Sequence, residues 1–161
     1  MEKLQKFYIN GEWVDPLSEA TMTVLNPATE QQIGIVALGN AADVERAVTA
    51  ANATFEEFSQ TNKEERLALL KKVKAITEAR FEDLAQAMRM EMGAPITMAR
   101  EAQADAAIGH LDGFITALED LAERRTLGNG DVMVREAIGV CGLITPWNWP
   151  INQITLRYCQ H

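Results

Sequence analysis

The strongest constraint in this chain is a six-residue turn, Thr145-Pro146-Trp147-Asn148-Trp149-Pro150, fed by the apolar run Val140-Cys141-Gly142-Leu143-Ile144. A short apolar run bounded by turn residues reads as a buried strand. The two prolines fix φ on either side of the tryptophans, and Pro150 suits the first position of a helix. Strand, rigid turn and helix together open a unit in which the helix carries the chain back to a parallel neighbour. No strand that could be that neighbour follows within the 161 residues. The expected fold class is therefore α/β with its parallel sheet mostly missing. Ile151, Ile154, Leu156 and Tyr158 are expected to lack cover.

The turn presents one polar side chain, Asn148. An amide can donate and accept hydrogen bonds but cannot serve as a nucleophile or general base at neutral pH. Two readings stay open on local chemistry. Held beside a reacting carbonyl, the side-chain N–H would stabilise negative charge on oxygen, typically by ~3 kcal/mol. Alternatively, Asn148 caps the helix that opens at Pro150. Trp147 and Trp149 could line a ligand pocket, although core packing is the commoner role of tryptophan.

Other reactive residue types carry less. Gly139 and Gly142 do not form the Gly-x-Gly-x-x-Gly pattern, and they precede the end of the strand instead of following it. Cys141 lies in an apolar run without a basic neighbour to lower its pKa, so it reads as a structural thiol. Cys159 has no recognisable context. His110 and His161 have no partners at ligand spacing, and no metal site is expected. Met88, Met90, Met92 and Met98 read as core filler, with the first three unable to share one helix face. Glu64, Glu65, Lys71, Lys72 and Lys74 read as a solvated face.

The first forty residues have strand character. Phe7-Tyr8-Ile9 and Glu12-Trp13-Val14 flank Asn10-Gly11, a pair that tolerates the positive φ of a tight hairpin. Thr21–Leu25 alternates with β-branched residues, Asn26-Pro27 turns the chain, and Ile33–Leu38 reads as another strand ending at Gly39. Asn40, with Asp43 three residues on, caps a helix carrying Val44, Ala47, Val48, Ala51, Phe55 and Phe58 at helical spacing. Thr61-Asn62-Lys63-Glu64 has a capping-box pattern and opens a helical stretch that ends at Gly93, either continuous or broken near Arg80. Pro95 opens a third helix with the line Ile108, Leu111, Ile115, Leu118 and Leu121. Gly128-Asn129-Gly130-Asp131 is a turn, and Val132–Val134 a strand.

Composition narrows the function classes. Apolar residues make up 47% and charged residues 24%, so a folded domain with a core is expected. The net charge of −8 opposes electrostatic binding to nucleic acid or to anionic membranes. Neither a secretory leader nor a run of spanning length is visible, and two cysteines are too few for a disulfide framework. The cytoplasm is the expected compartment.

The chain resembles the N-terminal part of NAD(P)-dependent aldehyde dehydrogenases. Three segments carry the resemblance, in family order: Phe7-Tyr8-Ile9-Asn10-Gly11-Glu12-Trp13, then Asn26-Pro27-Ala28-Thr29, and above all Gly139-Val140-Cys141-Gly142-Leu143-Ile144 continuing through Pro150. It implies oxidation of an aldehyde to an acid: a cysteine thiolate attacks the carbonyl, hydride passes to the nicotinamide of NAD or NADP, and a glutamate assists hydrolysis. It implies that Asn148 is the oxyanion donor and that Ile144, Thr145, Pro146 and Trp147 lie along the cofactor. Positions 1–161 would then be an incomplete cofactor-binding domain. Within it, about 131–138 would be a strand of the oligomerisation arm, 139–156 the first strand and helix start of a Rossmann-like part, and 157–161 a tail unlike the family. The family's nucleophilic cysteine and its glutamate would lie beyond this chain, since neither Cys141 nor Cys159 stands in the nucleophile's motif. Ala137 stands where many members have proline. The resemblance implies a homo-oligomer, or association with full-length subunits, and an aldehyde substrate.

Overall fold

The structure, a computed structural model, describes residues 5–158. Three antiparallel hairpins and a helical body make up the fold. Strands β1 (Phe7–Ile9) and β2 (Glu12–Val14) pair with Phe7 opposite Val14. Asn10 and Gly11 adopt φ of 52° and 79°, the two positive values that the hairpin turn requires. Strands β3 (Thr21–Leu25) and β4 (Gln32–Ala37) form the second hairpin. The third, β5 (Arg124–Thr126) with β6 (Val132–Val134), closes over the expected turn at Gly128–Asp131. Arg125 lies opposite Met133 in it. β5 has no sequence signature, because Arg124 and Arg125 are polar and exposed on a two-stranded ribbon.

Helix α1 (Ala41–Phe58) is capped as the sequence suggests. Asn40 Oδ1 accepts from the amides of Ala42 and Asp43 at 2.9 and 3.1 Å, and Asp43 accepts in return from the Asn40 amide at 3.1 Å. Asp43 is 4% exposed, and its other oxygen accepts from the Leu17 amide at 2.9 Å. The carboxylate therefore ties the chain before β3 to the start of α1. The capping box of α2 (Lys63–Ala79) falls one residue later than Thr61. Asn62 is the cap and Glu65 its reciprocal partner, at 2.9 and 2.8 Å. Thr61 instead donates its hydroxyl to the Phe58 carbonyl.

The break near Arg80 is real, and α3 (Phe81–Met92) follows it. Gly93 ends α3 in the left-handed conformation, φ 75°. A Cβ there would come within 2.7 Å of Pro27 Cγ, so glycine is required both by φ and by close approach. Met88 and Met92, one turn apart, share the inner side of α3 while Met90 is exposed. The three therefore do not share one face, as their spacing implies, and Met90, expected as core filler, is the one that differs.

After Pro95 the chain runs through one turn, α4 (Ile96–Met98), then a π-helical segment (Ala99–Ala104), and then α5 (Asp105–Asp120). Ala99, Ala104, Ala107 and Leu111 are fully buried along this rod. Small side chains there let α3 approach closely, and Ala85, Met88, Ala94, Ala99 and Ala104 form the main core cluster. The bidentate pair of Arg100 with Glu82, at 2.9 and 2.7 Å, fastens the π segment to α3. Lys71–Glu119 and Lys74–Asp112 bridge α2 to α5 at 2.9 and 2.6 Å. The lysines read as a solvated face thus also join two helices.

Among the described residues there is no parallel strand pair. Val140–Ile144, expected as a buried strand, has no regular secondary structure. A strand is held by ladder hydrogen bonds to a neighbour, and no neighbour is present, so the run stays irregular and Ile144 is 87% exposed.

Candidate functional site

The candidate site is the turn between that irregular run and helix α6 (Pro150–Tyr158). Pro150 does open the helix. Trp149 precedes it, and its carbonyl accepts from the Gln153 amide at 3.1 Å, the first bond of the helical ladder. Trp149 sits at φ 54°, a left-handed conformation costly for a bulky side chain just before proline. That local inversion turns the chain sharply between Asn148 and the helix.

The Asn148 side chain is exposed and makes no hydrogen bond among the described residues. The structure therefore does not use it as a helix cap, and its amide is free. The two tryptophans differ: Trp149 is half-buried, and Trp147 is 81% exposed. Trp147, with Pro27, Leu84, Met88, Met92 and Ile151, lines an open groove of about 420 Å³ beside α3.

Helix α6 is seated from below. Ile151 packs on the core cluster, and Thr155, 6% exposed, returns its hydroxyl to the Ile151 carbonyl at 2.8 Å. The Asn152 side chain meets His110 Nε2 of α5 at 2.6 Å. Of the four residues expected to lack cover, Ile151 is corrected by its core contact and Leu156 is half-buried, while Ile154 and Tyr158 stay about half exposed. His110, weighed in the sequence only as a metal ligand, instead braces the helix behind the turn. Its partner lies 42 positions away and on another helix, which no periodicity reveals.

Ile144, Thr145, Pro146 and Trp147 form one exposed, contiguous stretch with free backbone groups leading to Asn148. No acidic, basic or histidine side chain occurs from Ile138 to Leu156, so this stretch brings no cation to a pyrophosphate and no carboxylate for proton transfer. Cys141 is half-buried, with only a weak Sγ contact of 3.8 Å to the Gly139 carbonyl. Among the described residues no cluster of three metal-ligating side chains occurs, and no helix is long and apolar enough to cross a membrane. Cys159 and His161 lie outside the described residues.

Comparison with known proteins agrees with the segment-by-segment resemblance. The model of the Aldehyde dehydrogenase family matches residues 13–160. A 3-succinoylsemialdehyde-pyridine dehydrogenase of a Pseudomonas species is 43% identical over 158 residues, which is 98% of this chain and 33% of that protein. Among solved structures, aldehyde dehydrogenase C of Pseudomonas syringae, complexed with NAD+ and octanal, superposes with a TM-score of 0.92 at 45% identity. The match covers 96% of this chain and 32% of that one. The NAD+ complex of a Mycobacterium tuberculosis aldehyde dehydrogenase gives 0.88 at 28% identity, covering 96% and 33%. The chain thus spans about one third of the length of the relatives it matches.

Proposed function

This chain belongs to the aldehyde dehydrogenase family, and on that premise we propose that it supplies the oxyanion-binding third of an aldehyde-oxidising site and does not turn over substrate alone. One observation carries the reading. Asn148 offers an unpartnered side-chain amide at a turn stiffened by Pro146 and Pro150 and braced through α6. A donor that is fixed and free before substrate arrives needs no reorganisation when charge develops on the carbonyl oxygen.

In this reading Asn148 donates its amide N–H to the substrate oxygen and holds the carbonyl in place while negative charge builds there. Ile144, Thr145, Pro146 and Trp147 form the wall for the nicotinamide end of NAD or NADP. When bound, the dinucleotide supplies the hydride acceptor. The apolar character of this wall keeps water from the reacting carbon. Neither Cys141 nor any carboxylate in 138–156 is offered as nucleophile or base, and that absence is why the isolated chain is expected to be inactive.

Two measurements test this. The purified chain with octanal and NAD+ is expected to form NADH no faster than a blank, and clear turnover would refute inactivity. Substituting this chain for the corresponding third of the Pseudomonas syringae enzyme gives a chimera in which Asn148→Ala should lower kcat about 10²–10³-fold. An unchanged kcat would remove Asn148 from the oxyanion role.

A second reading has support of its own. The β5–β6 hairpin has two open edges, and Val132 and Val134 on it are about half exposed. Such a ribbon could enter an oligomer of a full-length relative. Co-expression with the Pseudomonas syringae enzyme and native mass spectrometry would detect mixed oligomers, and their absence would end the idea.

A further inference from the structure

We propose that His110 is a positioning residue for Asn148: its hydrogen bond to Asn152 sets the rotation of α6, and with it the aim of the Asn148 amide. The proposal rests on the oxyanion role given to Asn148 above. His110 Nε2 lies 2.6 Å from Asn152 Oδ1, so the ring donates from Nε2 and the amide oxygen accepts. Both residues are half-buried, and a hydrogen bond held out of bulk water is electrostatically stronger than one at a wet surface.

Three observations give this bond its leverage. First, the two helices it joins are unequal. α5 is anchored by the fully buried Ala107 and Leu111 and by the Lys71–Glu119 and Lys74–Asp112 pairs to α2. α6 has nine residues, fewer than the ~12–15 at which an isolated helix begins to persist in water. Its pose is therefore set by what it packs on. Second, Ile151 fixes the depth of α6 on the core cluster, but apolar contact is non-directional and lets a helix roll. The His110–Asn152 bond is directional. Among the described residues no other hydrogen bond or ion pair joins α6 to another element. Third, the bond acts in the first turn of α6, and the chain before that turn is stiff. Pro146 and Pro150 have fixed φ, and Trp149 between Asn148 and the helix is held at φ 54°. A roll of α6 is therefore passed on to Asn148. Misplacing a catalytic donor by about 1 Å can cost ~10²-fold in rate.

Kinetics of the chimera with the Pseudomonas syringae enzyme test the proposal. His110→Leu removes the donor and should lower kcat for octanal about tenfold or more, with KM little changed. Asn152→Ala removes the acceptor and should cost the same, and the double variant should cost no more than either. His110→Gln, whose side-chain N–H can reach Asn152, should recover most of the loss. In an Asn148→Ala background, His110→Leu should cost nothing further. Circular dichroism should show each variant folded as wild type, and if His110→Leu does not fold, Asn152→Ala carries the same comparison. Full kcat in His110→Leu and Asn152→Ala, beside a loss in Asn148→Ala, would overturn the positioning role and leave the oxyanion role standing. So would a His110→Gln variant as slow as His110→Leu, or losses that multiply when His110→Leu and Asn148→Ala are combined. A chimera indifferent to Asn148→Ala would remove the oxyanion role and this inference with it.

Discussion

Helices α3 to α5 and the segment from Ile138 to Trp149 are both rich in small and apolar residues, and they end in opposite states. In the first, Ala99, Ala104, Ala107 and Leu111 are fully buried. In the second, Ile138, Ile144 and Trp147 are each more than three-quarters exposed. Hydrophobicity does not separate them. The difference lies in where each region's hydrogen bonds are found. A helix closes its backbone bonds within itself and then needs only a neighbouring helix for its apolar side. A strand needs another strand before it exists at all. Helices α3 to α5 find their neighbours among the described residues, and the strand-forming run does not.

The contrast can be broken by substitution. Leu111→Ala should have the largest effect, a loss of about 2–5 kcal/mol of unfolding free energy, measured by urea denaturation. A loss below ~1 kcal/mol would show that the helical body is loosely packed. Gly93→Ala should cost about 1–3 kcal/mol, because φ is 75° and a Cβ meets Pro27 at 2.7 Å. A neutral result would mean that the Asn26-Pro27 turn moves freely against α3.

Acid should weaken the helical body by a route the exposed run lacks. The Arg100 guanidinium, with help from Gln86, holds the Glu82 carboxyl down at about 2, from an ordinary 4.5. A depressed carboxylate contributes stability that is present above its unfolded-state value and lost as pH falls through the folded-state value. The pair's contribution should therefore be intact above about pH 4.5 and disappear toward pH 2. Thermal melts should show a flatter acid limb for Glu82→Gln than for wild type, and parallel limbs would dismiss the pair. Smallest of all, Ile144→Ser should change monomer stability by no more than ~0.5 kcal/mol. A larger loss would mean that the run is packed after all.

The same contrast explains what could be read in advance. The Asn10-Gly11 hairpin, the Asn40–Asp43 cap, the stop at Gly93 and the helix start at Pro150 all depend on residues within a few positions of one another. Each is found as expected. The Val140–Ile144 strand was misread because its state depends on partners and not on its own composition. β5 was missed because a two-stranded ribbon leaves its residues exposed and without an apolar pattern. At the candidate site the turn and Asn148 were legible from the prolines and the asparagine alone. The brace from His110 was not, because it joins α5 to α6 across 42 positions, and neither the free amide nor the inverted backbone of Trp149 has a local sequence signature.

The Asp43 carboxylate has a kinetic consequence. One of its oxygens closes the first turn of α1, and the other holds the Leu17 amide, 26 positions upstream. Fraying of that first turn must release both bonds together. The exchange of the Leu17 amide proton with solvent deuterium then becomes a clock for the opening of a helix to which Leu17 does not belong.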